Sequence, residues 1–142
     1  MVQAQMASEQ KWSRLADWCR AQPVRLCVLF GSQATGRTHS DSDVDLAIWP
    51  DCAPDPMGKA RWIGELSDLL NLPVNLVIGS ADLDPVLGFE IMRDGQAIFE
   101  REPGVWQAQA VQLWHAYNDS LPFRRAAREQ LRRFAAEVRR GA

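Results

Sequence analysis

Apolar side chains recur along this chain at two spacings, and the spacings divide it into helices and strands. Trp12, Leu15, Ala16 and Cys19 fall three and four residues apart, predicting a first helix over 8–20, capped by Ser8 and stopped by Pro23. "VRLCVLF" (Val24–Phe30) reads as a strand ended by Gly31, and Gly31–Ser42 as a loop of small and polar residues. In "DVDLAIW" the period is two: Val44, Leu46 and Ile48 point one way, Asp43, Asp45 and Ala47 the other. Trp62, Ile63, Leu66, Leu69 and Leu70 return to helical spacing over 58–70. "PVNLVIG" is a third strand, with Asn75 and Val77 opposite Val74, Leu76 and Ile78. Asp84-Pro85 opens a short helix to about Arg93, and "DGQAIFE" turns at Gly95 into a fourth strand. Trp106, Ala110, Leu113, Trp114 and Tyr117 mark a helix over 104–121. Pro122 breaks or kinks it, and Ala127, Leu131, Phe134, Ala135 and Val138 line the helix that follows. The expected class is α+β: a small mixed sheet flanked by helices, with a long C-terminal helical segment.

Composition bounds this picture. A chain of 142 residues fits a single domain, 1–142, without repeats or linkers. The net charge of −2 conceals a division. Seven arginines lie within 121–142, against Glu129 and Glu137, so the remainder is acidic. Three cysteines without a CxxC pair argue against both a disulfide framework and a zinc site. The N-terminal stretch does not read as a signal peptide, and no run is long enough to span a membrane. A reduced, cytoplasmic protein is expected.

Asp43 and Asp45 change the picture more than any bulk property. Two residues apart on a strand, they leave the same face roughly 7 Å apart. Like charges held there repel unless a cation lies between them. Mg²⁺ takes one or two protein carboxylates and completes its octahedron with phosphate oxygens and water. The preceding Gly31-Ser32 turn can supply backbone N–H groups and a hydroxyl to phosphates, glycine permitting the close approach. Two other phosphate and metal motifs fail. "GSQATGRT" approaches a P-loop with Arg37 in place of the lysine, yet leads into a strand rather than a helix. "DSDVD" lacks the glycine and glutamate of an EF-hand, since those positions are Leu46 and Cys52.

Gly31-Ser32, ten residues, then Asp43-Val44-Asp45 resembles the G-S-x10-D-x-D signature of DNA-polymerase-β-like nucleotidyltransferases. Gly31, Ser32, Ala34 and Gly36, with Ser42 to Leu46, are similar to the small MNT (minimal nucleotidyltransferase) branch. The resemblance implies transfer of AMP from ATP to a hydroxyl, with Mg²⁺, or Mn²⁺ in its place. It assigns Asp43 and Asp45 to the metal and to catalysis, and Gly31, Ser32, Arg37 and Ser42 to the nucleotide. The family's usual third aspartate matches Asn75, in register but neutral. Asp41, Asp82, Asp84 and Glu90 are alternative acids away from that position. Many MNT-type proteins are antitoxins of HEPN-domain ribonucleases, so the resemblance implies a HEPN toxin as partner. No substrate domain fits within 142 residues, so the acceptor is expected on another protein. The alternatives are a binding-only antitoxin weakened by Asn75, or an enzyme for a small hydroxylated substrate.

The arginine-rich last helix reads as a solvated face or a protein dock, including one between copies. A nucleic-acid surface is the less expected reading, because Phe123 and Phe134 fit the apolar stripe better than a stacking role among the basic residues. Trp12, Trp62, Trp106 and Trp114 are expected in the core, with Trp18 and Trp49 at an interface or against a base. His39 is expected as an exposed loop residue, and His115 has no acidic companion on its helix.

Overall fold

The computed structural model describes residues 2–36 and 43–141, and side chains from Glu9 onward. Its elements follow in order: α1 (Val2–Arg20), β1 (Val24–Phe30), α2 (Ser32–Thr35), β2 (Val44–Pro50) and α3 (Pro56–Leu70). Then come β3 (Val74–Ile78), α4 (Pro85–Asp94), β4 (Gln96–Glu100), α5 (Val105–Asp119) and α6 (Leu121–Arg140). Helix α1 starts six residues before Ser8, because the intervening Gln, Ala and Met are good helix formers and nothing breaks them. The expected loop after Gly31 contains the turn α2. Helix α3 starts at Pro56, where the Asp55 carboxylate accepts from Gly58 N at 2.6 Å and proline suits the first position. It ends on Asn71 in the left-handed conformation, φ 56°.

The strands form a mixed sheet ordered β3-β2-β1-β4. β1 pairs antiparallel with β2 and β4, while β2 and β3 are parallel. The sheet is covered on both faces. Leu15, Cys19, Trp62, Leu66 and Leu70 of α1 and α3 pack on Val44, Leu46, Ile48, Cys27 and Leu29. Ile91 of α4 and Leu113 of α5 pack on Leu26, Val28, Ala47 and Trp49 of the other face. Each such aliphatic side chain, fully buried, contributes about 1.5–3 kcal/mol. Cys19 and Cys27 are free and buried together. A hydrogen bond with Cys19, and burial, hold the Cys27 thiol well above its ordinary pKa.

Three tryptophans depart from expectation. Trp49 is buried, because its indole lies on the backbone of Gly79, where a Cβ would overlap it. Trp18 meets Trp62 edge-on and donates its Nε1–H to Glu65 at 3.0 Å, a link between α1 and α3 rather than a free surface. Trp114, expected inside, is half exposed, since α5 presents Leu113 to the sheet. Among the described residues no helix is long and apolar enough to cross a membrane.

One polar clamp joins the ends of the sheet and the first helix layer. Arg101, just past β4, donates from Nε to Val24 O and from Nη1 to Arg20 O, both at 3.2 Å. Its Nη2 reaches Cys19 O at 3.2 Å and Gln22 O at 2.7 Å, so carbonyls left open at the end of α1 are satisfied. Glu100 beside it accepts from Trp106 N at 2.8 Å and caps α5. Arg101→Met keeps the stem and removes these donors. It should lower stability by about 1–2 kcal/mol, the low end for hydrogen bonds to a charged group because the site is partly solvated. Urea unfolding measures it, with Arg101→Lys recovering less than half of the loss.

Candidate functional site

The Phe30–Asp45 pair is the last rung between β1 and β2. β1 stops there because Gly31 adopts φ 71°, ψ −154°, a region open to glycine. Glycine is required for a second reason. A Cβ at Gly31 would overlap the Asp45 carboxylate, so that carboxylate lies directly over the backbone of the turn. Gly31 O accepts from Ala34 N at 3.2 Å and Thr35 N at 3.3 Å, folding Ser32–Thr35 into α2. Gly36, φ 71°, ends it. The Gln96 side-chain amide donates to Ala34 O at 2.9 Å and ties this turn to the start of β4. Gln96 was not legible as a site residue: an exposed glutamine in a short strand carries no sequence signal.

Asp45 shares its face of β2 with Ala47 and Trp49, which the α4–α5 layer covers. That cover ends before Asp45, which is half-buried. Parallel register sets Asn75 of β3 beside Asp45. The Asn75 amide nitrogen donates to Asp45 Oδ1 at 3.1 Å and approaches Asp43 Oδ2 at 3.5 Å. Facing two carboxylates, the amide turns its N–H groups inward. Asp43, Asp45, Asn75, Gly31 and Ser32 thus gather where β1 ends and β2 and β3 begin.

This arrangement fits a hard divalent cation. Two carboxylates converge on one positively polarised group, and a side-chain-free turn lies against one of them. Asp43 and Asp45 would hold such an ion, with the Asn75 amide oxygen available after a flip. Among the described residues no third His, Cys, Asp or Glu joins them in a metal-ligating group. Asp82 and Asp84 follow the opposite end of β3, a strand length of about 13 Å away. Asp84 caps α4 through Val86 N at 3.4 Å, and Glu90 is exposed on α4. Neither Asp82, Asp84 nor Glu90 therefore takes the place of the missing acid. Arg37, His39, Asp41 and Ser42 lie outside the described residues. Trp49, buried beneath Gly79, is not offered to a base. His115 lies edge-on to Trp114, 5.3 Å between ring centres, on the outer side of α5.

Known proteins give the arrangement a context. The family described as Polymerase beta, Nucleotidyltransferase matches residues 14–104, more than half of the chain. No curated protein matches it. Among solved structures, a toxin–antitoxin crystallised with AMP-PNP superposes with a TM-score of 0.75 at 21% identity, over 84% of this chain and 97% of that one. The toxin–antitoxin MntA-HepT gives 0.71 at 18% identity, over 87% and 97%. A tri-AMPylated Shewanella oneidensis HEPN toxin in complex with MNT antitoxin gives the same values. These likenesses establish the fold.

Gly31→Ala tests the cradle. It combines backbone strain of about 1–3 kcal/mol with displacement of the Asp45 carboxylate. The expected result is Mn²⁺ affinity at least about tenfold weaker by electron paramagnetic resonance, that factor being 1.4 kcal/mol. Unchanged affinity in a folded variant would show that the turn and the carboxylates are independent.

Proposed function

The chain belongs to the polymerase beta nucleotidyltransferase family, and from that premise we propose that it transfers AMP from ATP to a hydroxyl of a partner protein. The partner in this reading is a HEPN-domain toxin in the cytoplasm, which the chain neutralises as its antitoxin. One observation carries the catalytic part: Asp43, Asp45 and Asn75 converge beside the Gly31 turn. The antitoxin part rests on the likeness to MNT–HEPN complexes, one of them with an AMPylated toxin.

A divalent ion, Mg²⁺ or Mn²⁺, supplies charge to the phosphate oxygens of an in-line displacement when bound. The chain does the rest. Asp43 and Asp45 hold that charge at the end of the sheet. The Gly31 turn leaves room for the Asp45 carboxylate and offers its backbone N–H groups to the triphosphate, and the Ser32 hydroxyl donates to it, with Arg37 and Ser42 from the following segment. The acceptor oxygen bonds to the α-phosphorus as the bond to the bridging oxygen breaks, and pyrophosphate leaves with the electron pair. The acceptor proton passes to solvent or to an Asp45 oxygen, because the Asn75 amide cannot take it. That deficiency makes the reaction slow rather than forbidden.

The Asn75 contact also favours a second reading, a binding-only antitoxin. Its amide nitrogen faces both carboxylates without an ion, which lessens the repulsion that would otherwise demand one.

Asn75→Asp separates the two. For an enzyme it adds a carboxylate beside the acceptor, and general-base assistance is worth about 10²–10⁴ in rate. Labelled AMP should reach the HEPN partner at least about tenfold faster than with wild type, a lower bound allowing for imperfect geometry. Asp43→Ala should abolish transfer. Neutralisation without ATP, equal in wild type and Asp43→Ala and with no label transferred by Asn75→Asp, would establish the binding-only reading.

A further inference from the structure

Strand β4 carries one residue more than its pairing with β1 needs. Cys27 faces Phe99, but the next residue, Val28, faces Ala97, and Leu29 faces Gln96. Ile98 is therefore the extra residue of a β-bulge. Residues opposed across an antiparallel pair send their side chains to one face of the sheet. Phe99, Cys27 and Leu29 lie on the face that α1 and α3 cover. Regular pairing continued past Phe99 would set Gln96 opposite Phe30, on the face of α4 and α5. The bulge reverses this and puts Gln96 on the face of Leu29. Helix α2 rests on that same face, since Ala34 packs against the core beneath α1 and α3. There the Gln96 amide donates to Ala34 O at 2.9 Å.

We propose that Gln96 is a positioning residue for the Gly31–Thr35 turn, aimed at it by the bulge and acting through Ala34 O, a role that rests on the proposed use of that turn for the triphosphate. Helix α2 is a single turn, and a lone turn supports itself poorly, because ordering it costs more than its first hydrogen bonds return. Its own bonds are long. Gly31 O accepts from Ala34 N at 3.2 Å and from Thr35 N at 3.3 Å, while the Thr35 hydroxyl donates to Ser32 O at 3.3 Å and Gly31 O at 3.4 Å. The Gln96 bond is shorter than any of these and comes from another strand.

The donor stands on a fixed base. Gly95, next in the chain, is closed in by Ile91 O of α4 and the Val28 side chain of β1, and a Cβ there would overlap both. The backbone of Gln96 itself is paired with Leu29. The far end of the turn is thus tied to the sheet, while the carboxylates at its near end are held separately, by β2 and by the Asn75 amide. Loosening Ala34 should leave the metal ligands in place and misdirect the Gly31 and Ser32 groups that face phosphate. Gln96 then controls affinity for a triphosphate, not for the ion or for a nucleoside monophosphate.

Two variants of the full-length chain test this. Gln96→Leu keeps the bulk and removes the donor; Gln96→Glu keeps the shape and sets a carboxylate against the Ala34 carbonyl. Without nucleotide, the Ala34 and Thr35 amides of Gln96→Leu should exchange with solvent at least about threefold faster than in wild type, with the thermal midpoint unchanged. Calorimetry with Mg-ATP should show binding about threefold to tenfold weaker, the range that one hydrogen bond commands, and weaker still for Gln96→Glu. AMP affinity, and Mn²⁺ affinity by electron paramagnetic resonance, should match wild type in both. Unchanged exchange at Ala34 and Thr35 overturns the proposal whatever the nucleotides do. So does ATP affinity equal to wild type, or a loss shared equally by AMP and Mn²⁺. If exchange quickens in Gln96→Leu but wild type binds no Mg-ATP, the proposed function fails while the tie between Gln96 and the turn is upheld.

Discussion

β2 is apolar on both faces from Leu46 to Trp49, and helices cover both. A carboxylate within that stretch would lose its hydration at a cost of several kcal/mol. The acids of this chain therefore stand where the helical cover stops, at Asp43 and Asp45. Once there, they repel each other and crowd the neighbouring strand end. Gly31 relieves the crowding by carrying no side chain, and the Asn75 amide offsets the charge from the adjacent strand. Ending β1, starting β2 and fixing the register of β3 are three parts of one accommodation. The candidate site is its outcome.

The same accommodation explains the ambiguity in chemistry. A third carboxylate at Asn75 would make the cluster unstable without metal, and so strongly metal-binding. An amide lowers that tension. It leaves a site that holds its shape unaided, at the expense of the charge and proton acceptor that speed phosphoryl transfer. In the proposed reaction, the Gly31 turn and the Asp43–Asp45 pair are what the amide leaves in place.

Charge is also divided between the two ends of the molecule. Residues 1–120 are acidic in balance, while α6 is basic and held at its base by the Arg124–Tyr117 stack. A basic helix that merely covered the body would bury its apolar stripe against it. Here Phe123, Leu131, Phe134 and Val138 stay in solvent.

Much of this could be read along the chain. Period two in Asp43–Trp49, helical spacing in 58–70 and the Gly31-Ser32…Asp43-Asp45 constellation are local patterns, because neighbours in sequence share a strand face or a helix turn. They identified the α+β class and the mixed sheet, and they singled out Gly31, Ser32, Asp43 and Asp45 as one candidate constellation. Other features depended on partners distant in sequence. Trp49 is inside because Gly79 of another strand leaves room for its ring. Trp114 is outside because α5 has room for one apolar ridge against the sheet, and Leu113 occupies it. Gln96 and Arg101 act through carbonyls about 60 and 80 residues away. Asn75 meets Asp45 through the parallel register. An amphipathic pattern states that a face can be covered. Whether the chain itself covers it depends on what lies beneath the helix, and α6 has no buried residue. Covalent neighbours set periodicity, but packing among remote elements sets which apolar surfaces meet, and no local pattern encodes that.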